Sequence, residues 1–422
     1  MRRKIYLIPL AVGMLLGSCK KHDIQKVKDE TPAPTMVEPY GGTTNYRLSR
    51  LPFDWTTVPV GADIGDITRP FSTSEVEFLG RQFRILSIEK LHGNTQYSED
   101  GFLDAANAIK ASNPQTAILY YWNAKLLFPN NYRVAATADP AWLRPNPILP
   151  GTFFYKMESA ACRTWWVRSA LTMFTNNNVD GIFVDGLTTV YEDHPQAAIA
   201  LLQELKDSLN KLSGAPRVIF YNSSGSHSAT GECLANENIT ALHPLLRIAD
   251  GAYFEGFYWT DLNRNVSTAD LTHALKSIQF VAKKKKSVIV KAWPKFSFLG
   301  DNYLQTHSYE AVVARARQEI NFPLAAFLVA AGQYSYFQYS WSWAHSSPTD
   351  DHGLFFNTPQ NSEMVDPYWY AQLRRPLGRP LENANINGDV WTRRFAHATV
   401  SVNLQAKTAA ITWNITDVFP RG

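Results

Sequence analysis

The sequence lacks the ligand spacings that mark most metal-binding and nucleotide-binding proteins. It contains 3 cysteines in 422 residues, no Cys-x-x-Cys pair, and scattered histidines, so no zinc-type pattern is present. Neither a phosphate-binding loop nor a dinucleotide glycine fingerprint occurs. The 41 Lys and Arg residues barely outnumber the 37 Asp and Glu residues, which argues against a nucleic-acid-binding protein. We therefore expect no cofactor, no metal ion and no nucleic-acid partner.

What the chain has in quantity is apolar and aromatic side chains. Hydrophobic residues make up 45% of the sequence and charged residues 18%, which excludes a disordered or coiled-coil protein. A chain of 422 residues is long enough for one α/β barrel of roughly 250 residues with additional segments. We expect a globular protein with a large core.

The first nineteen residues have the pattern of a targeting segment. A basic start precedes the apolar residues 5–16, and Leu16-Gly17-Ser18-Cys19 resembles the lipobox of a bacterial lipoprotein signal. This predicts a mature chain lipid-anchored through Cys19 in the cell envelope, with the outer membrane as the expected location. An ordinary cleaved secretory signal is the alternative, but it gives Cys19 no purpose. Residues 20–46, rich in charge, Pro and Thr, are predicted to be a flexible tether.

Short β-branched and aromatic runs alternate with segments of helical apolar spacing, which is typical of a parallel sheet wound with helices. Strands are predicted at 83–89, 117–122, 181–185, 217–221, 251–255, 287–291 and 334–338, with an eighth near 57–62. Helices are predicted at 74–81, 102–112, 158–174, 195–212, 268–283 and 309–320. This pattern predicts an α/β protein with a (β/α)8 TIM barrel over residues 47–376. Period-two alternation near the end predicts a small C-terminal antiparallel β appendage at 377–422.

Each of the seven clearer strands ends in, or is followed directly by, a polar residue. These residues are Glu89, Asn123, Asp185, Asn222, Glu255, Lys291 and Gln338. In a barrel the carboxyl ends of the strands form the active-site face. We therefore expect these side chains to converge, although any one of them could simply cap a helix.

Two strands share a motif that ends in an acid. Residues 179–186 read Val-Asp-Gly-Ile-Phe-Val-Asp-Gly and residues 249–257 read Ala-Asp-Gly-Ala-Tyr-Phe-Glu-Gly-Phe. With the signal and the barrel pattern, they resemble a hypothetical glycoside-hydrolase-like TIM-barrel family of bacterial lipoproteins, and more distantly the endo-polygalactosaminidase-type and α-galactosidase-type barrels. The resemblance implies that Asp180 is structural, that Asp185 is the nucleophile and that Glu255 is the acid/base. Because this chain has Glu at the sixth strand, retention or inversion stays open.

The other strand-end residues are candidates for contacting the substrate. Asn222 and Lys291 could hydrogen-bond sugar hydroxyls, and Glu89 is a third acid and a rival for a catalytic role. Aromatic rings near strand ends could stack on sugar faces or equally close the barrel mouth: Trp122, Trp259, Trp293, Trp341 and Trp343. Our substrate-binding candidates are Glu89, Asn123, Asn222, Lys291, Trp293, Gln338 and Trp341. Residues 341–367 are predicted to form a long loop over the same mouth.

The sequence thus predicts an enzyme that cleaves glycosidic bonds in a poly- or oligosaccharide with two carboxylates. The alternative is a non-catalytic carbohydrate-binding surface lipoprotein, which would not need the acid pair. An esterase or deacetylase is disfavoured, because Ser223 and Ser224 lack a Gly-x-Ser-x-Gly elbow. Cys162 is predicted to be a buried thiol, while pairing with Cys233 stays open.

Overall fold

Eight short segments form a closed parallel barrel in the computed structural model, which describes residues 47–223, 231–257, 266–296, 303–345 and 369–414. The strands are β1 Gly61–Asp66, β2 Ile85–Ile88, β3 Ala117–Asn123, β4 Gly181–Asp185, β5 Val218–Asn222, β6 Gly251–Phe257, β7 Ser287–Ala292 and β8 Ser335–Tyr339. Each strand pairs in parallel with the next one along the chain, and β8 returns to the first strand through a bridge between Phe337 and Val60. The predicted (β/α)8 barrel is therefore confirmed.

Helices cover the outside of the barrel between successive strands. They are α1 Thr73–Gln82, α2 Ser98–Ser112, α3 Ala160–Leu171, α4 Leu187–Asp193, α5 Pro195–Asn210, α6 Pro244–Ile248, α7 Thr268–Lys283, α8 Tyr303–Thr306, α9 Tyr309–Glu319, α10 Asn321–Ala330 and α11 Ala371–Arg374. Ser72 and Ser267 form capping boxes that begin α1 and α7. No helix among the described residues is long and apolar enough to cross a membrane.

The barrel interior is filled by alternate residues of the strands. Inward-facing apolar side chains form a core of their own, which includes Leu119, Phe183, Phe220, Tyr253 and Ile289. Leu48 and Leu51 close this core at one end. The intervening strand residues pack outward against the helices in a second, larger core. This alternation decides which residues can reach the site at the carboxyl ends of the strands.

The chain closes the barrel between β8 and β1 with a side chain and a short returning strand. The Gln338 amide accepts from the backbone N–H of Asp63 at 3.0 Å and donates to its carbonyl at 3.2 Å, in place of a neighbouring strand. The chain then turns back, and β9 (Ala344–His345) pairs in parallel with the last residues of β1. We call the closure between β8 and β1 the seam.

A four-stranded antiparallel sheet follows the barrel: β10 Asn385–Asn387, β11 Val390–Arg394, β12 Ala398–Asn403 and β13 Thr408–Trp413. It packs against α10, which is apolar on every side because barrel and sheet both cover it. The buried Arg393 guanidinium donates to the carbonyls of Leu328 and Ala331 near the end of α10. The predicted C-terminal antiparallel sheet is present. A smaller sheet after β3 joins Leu126–Leu127, Leu143–Pro145 and Phe153–Tyr155.

The first strand lies later in the chain than the sequence suggested. It was expected near 57–62, but β1 covers Gly61–Asp66, while Val58 is buried outside the strand. The inward positions of β1 are Gly61, Asp63 and Gly65, which leave the strand without the apolar alternation used to recognise it.

Several sequence-based predictions lie outside the described residues. They are the signal segment with Cys19, the tether 20–46, Trp259, and residues 346–368 of the predicted loop. Cys162 and Cys233 are both buried free thiols, and burial raises the pKa of each to about 12.

Candidate active site

Polar side chains replace apolar ones at the top of the barrel interior. Along β3 the inward residues run Leu119, Tyr121, Asn123, and along β4 they run Phe183, Asp185. The other strands follow the same order, and together they bring one inward polar residue each to the carboxyl end: Asp63, Glu89, Asn123, Asp185, Asn222, Glu255, Lys291 and Gln338. The seven predicted residues thus lie at one end of the barrel, joined by Asp63 from β1.

Three donors hold the carboxylate of Asp185. Tyr121 donates its hydroxyl to Oδ2, Asn123 donates to the same oxygen at 2.7 Å, and Asn222 donates to Oδ1 at 3.1 Å. Asp185 is partly exposed, whereas Asn123 and Asn222 are buried. The carboxylate is therefore fixed by the barrel wall while it remains open to the mouth.

The carboxylate of Glu255 is held by a different pair of donors. Asn222 donates to Oε2 at 2.9 Å, and the indole of Trp343 donates to Oε1. Trp293 donates its indole N–H to the backbone carbonyl of Glu255 at 2.7 Å. Glu255 is 5% exposed, so it is the more enclosed of the two acids.

Asn222 links the two acids directly. Its amide nitrogen donates to Asp185 and to Glu255, so the two accepting oxygens can lie no farther apart than these two bonds laid end to end, about 6 Å. Retaining glycosidases place their carboxyl groups at about 5–5.5 Å and inverting ones at about 6.5–9.5 Å. For this pair of oxygens the upper limit is shorter than the separation typical of inverting enzymes.

A β-bulge in β6 lies directly at Glu255. Between β6 and β7 the register runs from Phe254 opposite Val290 to Phe257 opposite Ala292, so two residues of β6 face the single residue Lys291. Phe254 and Phe257 both pack outward against the helices, which the ordinary alternation would not allow. Bulges are common beside active sites because they redirect a side chain.

The two acid motifs begin with the same structural device. Asp180, just before β4, accepts the backbone N–H of Ile118 at 2.9 Å, and Lys110 pairs with the same carboxylate oxygen at 2.7 Å. Asp250, just before β6, accepts the N–H of Ile219 at 3.0 Å. Each aspartate ties the start of its strand to a neighbouring strand, in agreement with the structural role that the resemblance implies for Asp180.

Gly186 allows the chain to turn directly after Asp185. Its φ is +68°, in the left-handed region. A Cβ at this position would come within 2.9 Å of the Cβ of Lys125 and 3.0 Å of the Oδ1 of Asn123. The same Oδ1 accepts the N–H groups of Lys125 and Leu126, so the glycine preserves the contact that orients Asn123.

Glu89, the rival acid, is already paired. Its carboxylate contacts the ammonium of Lys90 at 2.9 Å. Burial acts to lower the pKa of Lys90, but the charges of Glu89 and Asp185 outweigh it and raise that pKa. On the neighbouring strand β1, burial and the charge of Glu89 raise the pKa of Asp63 well above its usual value.

Four predicted substrate-binding residues have buried side chains in this structure. Lys291 is 0%, Trp293 1% and Trp341 2% exposed, and Trp341 packs against Phe296. The amide of Gln338 is fully used inside the protein, since it also accepts from Tyr253 and donates to Ser340. These groups pack or close the barrel, a role that strand position alone does not distinguish from ligand binding.

Trp122 also lies away from the mouth. It faces outward from β3 and packs against Tyr132 and Trp166 at ring distances of 4.6 and 6.0 Å. Its neighbours Tyr121 and Asn123 take the inward positions.

Three polar residues of the site were missed by the sequence analysis: Asp63, Lys90 and Tyr121. Tyr121 could have been found by counting back two residues from Asn123 along the same face. Asp63 was not recognised because the first strand was predicted to end at residue 62, one residue before it. Among the described residues, no cluster of three His, Cys, Asp or Glu side chains could hold a metal ion.

The fold and the site place this protein in the class of (β/α)8 barrels that carry an acid pair at the strand ends. Here the acids lie on β4 and β6, and one asparagine on β5 joins them. The family comparison agrees with this class. The model of hypothetical glycosyl hydrolase family 15 matches residues 110–399, and the chain belongs to this family. No curated protein matches the chain.

Three solved structures illustrate what this chain is similar to. The glycoside hydrolase domain of PelA from Pseudomonas aeruginosa is 11% identical, with 62% of this chain and 91% of that chain covered and a TM-score of 0.37. Aspergillus fumigatus Ega3 in complex with galactosamine is 11% identical, with 69% and 93% covered and a TM-score of 0.40. Eubacterium rectale Amy13B is 10% identical, with 84% and 88% covered and a TM-score of 0.49.

Proposed function

We propose that this protein is a retaining glycoside hydrolase that acts on a poly- or oligosaccharide, with Asp185 as nucleophile and Glu255 as acid/base. The observation that carries the proposal is the amide of Asn222, which bonds both carboxylates and limits their oxygens to about 6 Å apart. That limit is shorter than the about 6.5–9.5 Å that makes room for water between the general base and the sugar in an inverting mechanism. Membership of a glycosyl hydrolase family supports the reaction class.

The two environments support the division of roles. Asp185 is the more accessible acid, and three donors hold it in one orientation. In the first step Glu255 gives its proton to the leaving oxygen while Asp185 attacks the anomeric carbon, so the glycosidic bond breaks and a glycosyl ester forms. In the second step Glu255 takes a proton from water, and the resulting attack on the anomeric carbon releases the sugar and restores both acids.

The stereochemistry of the product tests this mechanism. The protein is first screened on a panel of polysaccharides and activated aryl glycosides for the release of reducing ends or of the aryl group. The first product formed from a cleaved substrate is then examined by proton NMR before it mutarotates. We expect the anomeric configuration of the substrate to be kept. A first product of opposite configuration would refute Asp185 as nucleophile.

Covalent trapping tests whether Asp185 is the nucleophile. An activated 2-deoxy-2-fluoro glycoside matched to the cleaved substrate should add one sugar mass to the peptide that contains Asp185. Glu255→Gln should still be labelled, because an activated leaving group needs no acid, whereas Asp185→Asn should not. A label on Glu89 instead would move the nucleophile to β2. If the wild-type protein binds glycans with no turnover and Asp185→Asn binds equally well, the non-catalytic binding protein replaces the enzyme.

We further propose that the chain is lipid-anchored through Cys19 in the cell envelope. The support is the lipobox pattern of residues 16–19 after a basic and apolar start. Metabolic labelling with an alkyne fatty acid should mark the wild-type chain and place it in the membrane fraction. Cys19→Ser should lose both properties, while the internal substitution Cys162→Ser should keep them. A labelled Cys19→Ser chain would contradict the proposal.

A further inference from the structure

A buried lysine lies between two tryptophans beside the proposed acid/base. The side chain of Lys291 is 0% exposed. Its Nζ lies 3.7 Å from the ring centroid of Trp293 and 4.8 Å from that of Trp343, and it donates to the carbonyl of Ser342 at 3.0 Å. Contacts of this geometry attract a charged ammonium to the faces of both rings, most strongly when water is excluded.

The same two indoles hold Glu255. Trp343 donates to its carboxylate and Trp293 to its backbone carbonyl. The two rings meet edge to face, with centroids 5.0 Å apart and planes at 82°. The ammonium, the two rings and the acid therefore form one packed unit, which we call the indole cluster: Glu255, Lys291, Trp293 and Trp343.

Nearby acids and burial have opposite effects on the pKa of Lys291. Among the described residues, the acids that face it are Glu255 on β6, Asp63 on β1 and Glu89 just after β2, and all three favour the charged form. Burial opposes them and prevails, so the pKa of Lys291 falls to about 7. Below this pH the ammonium is charged and attracts both rings, and above it the attraction is lost.

We propose that Lys291 is a positioning residue that acts on Glu255 through the indole cluster rather than by touching substrate. The charged ammonium of Lys291 attracts the ring of Trp343 and fixes its position. The N–H of that ring then holds the carboxylate of Glu255. The catalytic part of this inference rests on the proposed glycosidase function, whereas the coupling between Lys291 and the indoles does not.

Tryptophan fluorescence tests the coupling without any substrate. We expect the emission of the wild-type protein to change in one step near pH 7. Lys291→Met should lack this step, and Lys291→Arg should keep the low-pH spectrum to about pH 9, because guanidinium stays charged there. Trp343→Phe should remove most of the step and identifies the reporting ring. Circular dichroism confirms that each variant is folded.

Lys286→Met is the matched control. Burial lowers the pKa of Lys286 to about 8, so this residue titrates in nearly the same range, yet it contacts the carbonyls of Ala249 and Arg247 and no indole of the described residues. The control should keep the wild-type step. A step that persists in folded Lys291→Met, or that disappears in Lys286→Met, would overturn the coupling.

Activity provides the second readout once a cleaved substrate is known. Lys291→Met should lower kcat about tenfold or more with little change in KM, and Lys291→Arg should recover most of kcat and carry it to higher pH. A rise in KM at constant kcat would mean direct substrate contact and would refute the positioning role. If no glycan is cleaved, the proposed function fails while the fluorescence result still decides the coupling.

Discussion

Replacing Asn222 by alanine should remove the donor that the two acids share and lower kcat while leaving the fold intact. The amide is the only described group that donates to both carboxylates. In the first step the amide bonds the Asp185 carboxylate and the negative charge that develops on Glu255 as its proton leaves, and hydrogen bonds to charged acceptors contribute about 1.5–3 kcal/mol each. We expect Asn222→Ala to raise the activation barrier by about 3–4 kcal/mol, which corresponds to a loss of about 10²–10³ in kcat.

The measurement is kcat and KM on the substrate found by screening, with the melting temperature recorded for each variant. Ser223→Ala is the control, since its buried hydroxyl bonds only the carbonyl of Tyr253 at 2.9 Å and touches neither acid. It should cost stability of about 1 kcal/mol and leave kcat unchanged. If folded Asn222→Ala keeps kcat within about threefold of the wild type, the amide does not set the geometry of the acid pair.

Two substitutions and one chemical modification test other features of the structure. Gly186→Ala should destabilise the protein by about 2 kcal/mol and lower kcat, because the new Cβ is strained at this left-handed φ and also collides with neighbouring atoms. Gly214→Ala is the control, since it also has a positive φ but no atom within 4 Å, and thermal melts should show a loss of stability alone. Arg393→Met should destabilise the protein by about 2–4 kcal/mol by stranding buried carbonyls, while the exposed Arg394→Met should melt close to the wild type. Cys162 should resist alkylation in the native protein and react in denaturant, as measured by peptide mass, because burial raises its pKa to about 12.

The architecture was predictable because barrel strands and helices have different apolar periods. The predicted helix 268–283 has the same bounds as α7, and all seven clearer strands lie within two residues of their observed ends. The polar residues that follow apolar strands had to reach one face in any barrel of this type. Asp185 and Glu255 were therefore identifiable as a pair from their motifs alone.

What could not be predicted depends on contacts between distant parts of the chain. Lys291 and Gln338 end apolar strands just as Asp185 does, yet one is enclosed by indoles and the other closes the seam. The bulge beside Glu255 is a difference in pairing between two strands and leaves no mark in either sequence. A strand pattern indicates which face a residue takes, but not what covers that face.

The seam connects the folding of the barrel to the completion of the acid site. Trp343 lies on the segment that leaves β8 and returns to pair with β1, and its indole completes the contacts of Glu255. A chain that has assembled every strand but has not joined the last to the first therefore lacks part of the acid's support. Molecules that have not closed the ring expose a strand edge and should therefore lack the proposed glycosidase activity.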